Sequence, residues 1–367
     1  MSKPRVLFVG RTRYALPLPA WLQKKFDALD RELDYRVLAS AAAGARSSGK
    51  FELVQPGRPR PLDGVLFYVL LPGRIARAIR MHRPDVIVAE DPHVAAAALL
   101  ARRLAGRNST RIVAEVHGNW RLATRLYGSR ARRVFAPVAD AVDSLAVRRA
   151  DAVRALSPYT AGLVETVRGR PPDAAFATYS DLSAFTGARR PLPERPTALF
   201  VGVLERYKGI DALAAAWPRV AEAVPKARLV VVGRGSRVLL VEQLGVEHVE
   251  QLAPDEVAAR MDDSWVLVLP SRYEGLGRVV IESFARGRGV VGSRAGGILD
   301  LVRDGEEGLL VEPGDPASLA DALIRVLSDR ALAEALGGAG ARRFQDWRST
   351  PEQFAANVRA VVDAALD

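Results

Sequence analysis

Two glutamates, Glu274 and Glu282, flank the glycine loop of Pro270-Ser-Arg-Tyr-Glu-Gly-Leu-Gly-Arg-Val-Val-Ile-Glu282, with seven residues between them. A carboxylate accepts hydroxyl hydrogen bonds of the kind a sugar offers, and it is a poor partner for a further phosphate. Gly275 and Gly277 permit a tight path and let a ligand approach the backbone closely. Ahead of a helix, the N–H groups of Gly275, Leu276 and Gly277 would face an anion. The ligand these residues suit is a phosphate with a hydroxyl-bearing group on either side, which is the order of parts in a nucleotide-sugar. Two further residues are placed for chemistry. Lys208 follows a strand that ends in glycine, where a cation meets phosphate. His117 stands at the end of an apolar strand, where open α/β sheets bind ligands.

The elements that must hold these residues read as alternating strands and helices. Residues 265–269 form a continuous apolar run of the kind buried on both faces, and residues 278–286 read as a helix. Glu282 lies inside that helix and leans toward its N-terminus, so the two carboxylates address opposite ends of one ligand. Upstream, residues 5–10 read as a first strand, with Arg11, Arg13 and Tyr14 in the loop beyond it. A helix follows over 21–33 and a strand over 35–39. The Gly-, Ser-, Pro- and Arg-rich segment up to residue 61 reads as loop. Residues 72–82 read as a helix with a basic face, 84–90 as a strand, 92–107 as a helix and 111–117 as a strand. Such alternation argues for a parallel sheet of right-handed crossovers. The pattern restarts at Thr197-Ala-Leu-Phe-Val-Gly202 and again at Arg228-Leu-Val-Val-Val-Gly233, where Gly233 and Gly235 lack the third glycine of a dinucleotide fingerprint.

Taken with its strand and helix, the Glu274 to Glu282 stretch resembles the E-x7-E signature of retaining nucleotide-sugar glycosyltransferases of the family-4 type. Their GT-B fold is α/β, with two facing Rossmann-like domains of parallel sheet. The segment Gly202-Val-Leu-Glu-Arg-Tyr-Lys208-Gly209 resembles the family's Gly-Arg-Leu-x-x-x-Lys-Gly, with Val203 where the family has arginine. The resemblance implies that Lys208 and the loop amides hold the donor diphosphate, that Glu274 holds donor-sugar hydroxyls and that Glu282 holds the ribose. It places Gly10 near the diphosphate, His117 on the sugar side, and Gly233 and Leu252 toward the nucleotide. Arg206, Arg278 and Arg13 are the candidate substitutes for the missing cation. It further implies domains over residues 1–187 (acceptor side) and 188–348 (donor side), with 349–367 as a helix returning to the first domain. Retention of configuration without a covalent intermediate is the implied chemistry.

With 49% hydrophobic and 26% charged residues over 367 positions, the chain has the composition of a globular protein long enough for two domains. The absence of cysteine excludes disulfides and thiolate metal sites and fits a reducing cytosol. No Asp-x-Asp occurs, so the expectation is a metal-independent enzyme without a cofactor, whose substrate is a UDP-, GDP- or ADP-sugar. Residues 1–190 carry 32 Lys and Arg against 16 Asp and Glu, leaving 21 against 26 in residues 191–367. A basic first half suggests an anionic surface. Arg121, Arg125, Arg130, Arg132, Arg133, Arg148 and Arg149, interleaved with Leu126, Tyr127, Val134 and Phe135, suit an anionic bilayer. The expected setting is cytoplasmic and peripheral on the inner face of the membrane, with a lipid-linked or anionic hydroxyl acceptor and no nucleic acid. The alternatives are a nucleotide-sugar-binding protein without turnover and a nucleotide-sugar epimerase on the same fold.

Overall fold

The computed structural model describes residues 3–57, 63–122, 130–242, 244 and 246–367, with side chains at 130–133 left aside. Of the basic stretch, Arg125, Leu126 and Tyr127, and the side chains of Arg130, Arg132 and Arg133, therefore lie outside the described residues. The chain divides into two compact units, one of Met1–Ser180 with Ser349–Asp367 and the other of Asp181–Arg348.

In the first unit the strands are β1 (Arg5–Tyr14), β2 (Asp34–Ala41), β3 (Phe51–Val54), β4 (Val86–Ala89), β5 (Arg111–Val116), β6 (Ala152–Ala155) and β7 (Ala174–Ala175). They form one sheet in the order β3-β2-β1-β4-β5-β6-β7, and every pairing is parallel. The helices are α1 (Ala20–Glu32), α2 (Asp63–His82), α3 (Pro92–Leu104), α4 (Arg130–Arg149) and α5 (Pro158–Arg168). Because β4 to β6 are apolar at every position but Arg111, Glu115 and Arg154, they suit a sheet covered on both faces. One core lies under α2, α3, α4 and α5. The other lies under α1 and the last helix of the chain.

Three local features depart from the sequence reading. β1 continues past Gly10 to Tyr14 with its register shifted between Val9 and Arg13, so Arg11 and Arg13 lie on a bulged strand rather than in a loop. β3 forms inside the segment read as loop, where Phe51 and Leu53 bury one face against β2. α2 begins at Asp63 and carries Pro72 within it. Elsewhere local rules hold: Ser157 caps α5 in a capping box with Thr160, ahead of Pro158.

The second unit repeats the plan with β8 (Thr197–Val201), β9 (Arg228–Val232), β10 (Glu247–Val249), β11 (Val266–Leu269), β12 (Gly289–Ser293) and β13 (Gly308–Val311), ordered β10-β9-β8-β11-β12-β13 and parallel throughout. Its longer helices are α6 (Ile210–Ala223), α7 (Pro254–Asp262), α8 (Arg278–Ala285), α9 (Pro316–Ser328) and α10 (Arg330–Arg343). The division from the first unit falls between Ser180 and Asp181, ahead of residue 187, because Phe185 packs in a second-unit core with α7 and α8. The Pro- and Arg-rich stretch that follows is fastened to this unit through its carbonyls. Arg286 donates to Gly187 O (3.1 Å) and Ala188 O (2.8 Å), Arg288 to Arg190 O (3.0 Å), and Arg330 to Leu192 O (2.6 Å).

The final helix, α11 (Pro351–Leu366), belongs to the first unit. Thr350 caps it, and Phe354, Val358, Val361 and Val362 are buried in the core shared with α1 and β5.

Candidate functional site

In both sheets strand order reverses next to the first strand of the unit, between β1 and β4 and between β8 and β11. Chains leaving the carboxyl ends of those strand pairs diverge and open a crevice, the usual ligand position in open α/β sheets.

At the β8/β11 reversal, β8 delivers the turn that ends at Lys208, and β11 delivers Pro270 to Gly277. Lys208 Nζ forms an ion pair with Glu274 Oε1, and the Ser271 hydroxyl donates to the same oxygen at 2.8 Å. Glu274 is buried. A second clamp fixes the two loops to each other. Arg272 grips the Asp211 carboxylate with Nη1 at 2.6 Å and Nη2 at 3.0 Å and donates to Arg206 O at 2.7 Å. Burial alone would raise the Asp211 carboxyl, but the Arg272 guanidinium holds it below the usual range. Gly209 makes the approach feasible: its φ is +72°, and a Cβ there would lie 1.9 Å from Pro270 O.

Gly277, at φ +81°, is the N-cap of α8, and Val280 N donates to Gly277 O at 2.8 Å. The N–H groups ahead of Val280 come too early in the helix for an intrahelical partner, so this end presents donors beside Lys208. The Glu274 carbonyl accepts from Gly297 N at 3.0 Å, which braces the loop from behind. Glu282 lies on the first turns of α8, buried, with Arg278 Nε donating to its Oε1 at 2.6 Å. Burial pushes the Glu282 carboxyl up, and Arg278 opposes that only in part.

The other named residues of this unit are placed as follows. Val203 is 44% exposed after β8. Arg206 is exposed and reaches Asp211 only at 4.0 Å. Gly233 follows β9, its carbonyl accepting from His248 Nε2 at 2.9 Å. Leu252 is half-buried against the core that includes α8.

At the β1/β4 reversal of the first unit, Arg11, Thr12, Arg13, Glu90, Asp91 and His117 line a cavity of about 520 Å³. Glu90 is its organiser. One carboxylate oxygen accepts from Thr12 N at 3.1 Å and the other from the Thr12 hydroxyl. A Cβ on Gly10 would come within 1.8 Å of Glu90 Oε2, so it is this side chain that requires glycine at position 10. Arg13 lies 3.6 Å from Asp63 Oδ2 and Arg11 3.3 Å from it. His117 Nε2 sits 3.0 Å from Glu115 Oε2, and the other oxygen of Glu115 pairs with the buried Arg154. Burial would raise the Glu115 carboxyl, yet Arg154 and His117 more than offset it and hold it well below the carboxylate range.

The chain's similarity to known proteins follows the same division. Residues 27–176 match the model for Glycosyltransferase Family 4, and residues 195–329 match that for Glycosyl transferases group 1. The GDP-mannose-dependent alpha-(1-6)-phosphatidylinositol monomannoside mannosyltransferase of Mycobacterium tuberculosis is 31% identical over 304 residues, covering 74% of this chain and 75% of that protein. The chain belongs to the family-4-type glycosyltransferases. Sucrose-phosphate synthase from Thermosynechococcus elongatus has the same GT-B fold, with a TM-score of 0.75 at 20% identity and 97% of each chain covered. Anabaena HepE, solved in complex with UDP-glucose, aligns with a TM-score of 0.69 at 17% identity over 97% of this chain and 99% of its own.

The structure of this glycosyltransferase brings Lys208, Glu274 and the Gly275 to Gly277 loop together, with Glu282 one helix turn on. His117 and Arg13 line the first-unit cavity, and Gly10 lies against its Glu90. Sequence reasoning missed Asp211 and Arg272, which join the two donor-side loops, and Glu90 and Glu115, which organise the other unit. A glutamate inside or at the end of an otherwise apolar strand was the available signal for the last two. Nothing in the spacing marks Asp211 and Arg272 as partners.

Proposed function

We propose that this glycosyltransferase moves a hexosyl unit from a UDP-, GDP- or ADP-sugar to a hydroxyl acceptor with retention of anomeric configuration. The observation that carries this reading is the convergence of Lys208, Glu274 and the α8 N-terminus at one strand-order reversal. As the anomeric C–O bond breaks, negative charge collects on the departing diphosphate. The Lys208 ammonium and the amides of Gly275, Leu276 and Gly277 stabilise it. Lysine has three donors, so Lys208 serves the phosphate while keeping Glu274 in place. Glu274 accepts from donor-sugar hydroxyls and Glu282 from the ribose. The acceptor oxygen bonds to the anomeric carbon on the face the diphosphate leaves, and its proton passes to a phosphate oxygen, so no enzyme-bound sugar forms. Arg278, the first residue of α8, is the cation nearest in sequence to the phosphate loop and stands in for the arginine replaced by Val203. Neither a metal nor a cofactor takes part, a reading supported by the lack of Asp-x-Asp in the sequence. A lipid-linked hydroxyl is the proposed acceptor class, supported by the basic first half and by the name of the mycobacterial relative.

Release of UDP, GDP or ADP from a panel of donors, with and without chelator and lipid acceptor, tests the proposal. Chelator-insensitive release of one nucleotide, with product of unchanged anomeric configuration by NMR, is expected. Nucleotide binding without release would favour a binding protein, and a new donor epimer without acceptor an epimerase. Glu282→Ala should weaken the preferred nucleotide by about tenfold to a hundredfold in calorimetry, as loss of a charge-assisted hydrogen bond does. Unchanged affinity would remove Glu282 from the ribose.

A further inference from the structure

The helix α4 turns its acids inward and large apolar side chains outward. Its buried side mixes Ala136, Ala146 and Val147 with Asp140, Asp143 and Ser144, with Asp143 Oδ1 2.6 Å from His93 Nδ1 and the Ser144 hydroxyl donating to Asp140 O at 2.6 Å. Its solvent side carries Val134 (74% exposed), Phe135 (69%), Val138 (64%), Val142 and Leu145. Both acids of the stretch point inward, and the exposed side ends in Arg148 and Arg149. A surface helix ordinarily turns its acids to solvent and its large apolar side chains to the core. In the same layer α2, which packs beside α3 as α4 does, buries an apolar side yet also exposes large apolar residues. There Val65, Val69 and Leu70 are exposed over the first turns, and Arg77 and Arg80 follow. Exposed apolar residues of this extent on the two helices that pack against α3 mark an interaction surface.

We infer that the outer side of α2 and α4 docks on an anionic bilayer. The occupant follows from charge. Exposed apolar side chains with arginines and no exposed acid on α4 match acyl chains below an anionic headgroup layer. A second copy of this chain would present the same arginines to themselves, a like-charge juxtaposition that opposes pairing. Among the described residues no helix is long and apolar enough to cross a membrane, so α4 would lie in the interface plane along its length of about 30 Å. The inference uses no residue of the donor site.

Flotation of the full chain with vesicles of phosphatidylcholine alone, or mixed with an equal part of phosphatidylglycerol, tests it. Binding to the anionic vesicles that falls with added salt is expected. Val138→Glu with Val142→Glu should cut the bound fraction about tenfold or more, with the melting curve and donor-nucleotide affinity unchanged. Arg77→Glu with Arg149→Glu should lower binding by about fivefold per residue and abolish the anionic preference. Val138→Ser with Val142→Ser, which adds no charge, should act in the same direction if the glutamate pair misfolds. Undiminished flotation of both valine variants would overturn the inference. So would a dimer in light scattering that these variants dissolve while the wild type ignores vesicles.

Discussion

Glu282 combines a buried carboxylate with a helix start that already has an arginine at its first position. An arginine there opposes the helix dipole by about 0.3–1 kcal/mol, a cost that its contact with Glu282 offsets. Because burial raises the Glu282 carboxyl above its ordinary 4.5, the folded chain holds this proton more tightly than the unfolded chain does. This group's contribution to stability is therefore greatest below pH 4.5 and declines as pH rises through the raised value. Glu282→Gln removes the decline: thermal melts of the variant should gain on the wild type from pH 4.5 toward neutrality. A ribose hydroxyl donates to the ionised form, so wild-type nucleotide affinity should fall as pH drops into the same window, while the glutamine variant stays flat in calorimetry. Arg278→Ala should leave Glu282 buried without its cation and shift both curves to higher pH.

Among the elements, β6 contributes the least conventional anchor. Arg154 is buried in that strand, pairs with Glu115 of β5, donates to Phe176 O at 3.1 Å and the Thr178 hydroxyl at 3.2 Å, and lies over the Phe176 ring at 4.1 Å. Arg154→Ala would strand a buried carboxylate and should cost about 3–5 kcal/mol in denaturant unfolding. His117 would lose its fixed partner geometry at the same time. An arginine in the middle of Ala-Val-Arg-Ala gives no hint of this, since the partner carboxylate lies in another strand and the aromatic ring in a later loop. The same limit explains what else was legible. Long apolar runs such as Trp265 to Leu269 announce their strands, and the glycine loop between one of them and α8 announces an anion seat. Phe51 to Val54 is too short, and too surrounded by Gly, Ser and Arg, to stand out as a strand. Lys208 and Glu274 were each singled out, but their meeting depends on where the strand order reverses. The outward side of α4 could be read only as basic residues beside apolar ones, because its inward acids emerge from the packing.

Considered as a whole molecule, the first unit is built from two separate parts of the chain. Phe354, Val358, Val361 and Val362 of α11 fill its core next to α1. At about 1.5–3 kcal/mol for each large buried side chain, their removal would cost about 6–12 kcal/mol. That is comparable to the entire stability of a typical domain, about 5–15 kcal/mol. A chain ending at Arg348 should therefore keep a protease-resistant second unit while the first is digested, as limited proteolysis with mass spectrometry would reveal. Resistance of residues 3–180 in that truncated chain would show that α11 is dispensable.

During synthesis this arrangement sets an order of events. The residues that make the second unit are contiguous, so that unit is able to close without anything made after Arg348. The first-made portion must wait with an open apolar seam until residues 351–366 leave the exit tunnel. A message cut short before that point yields a product whose donor half is finished and whose earlier half is left to chaperones and proteases.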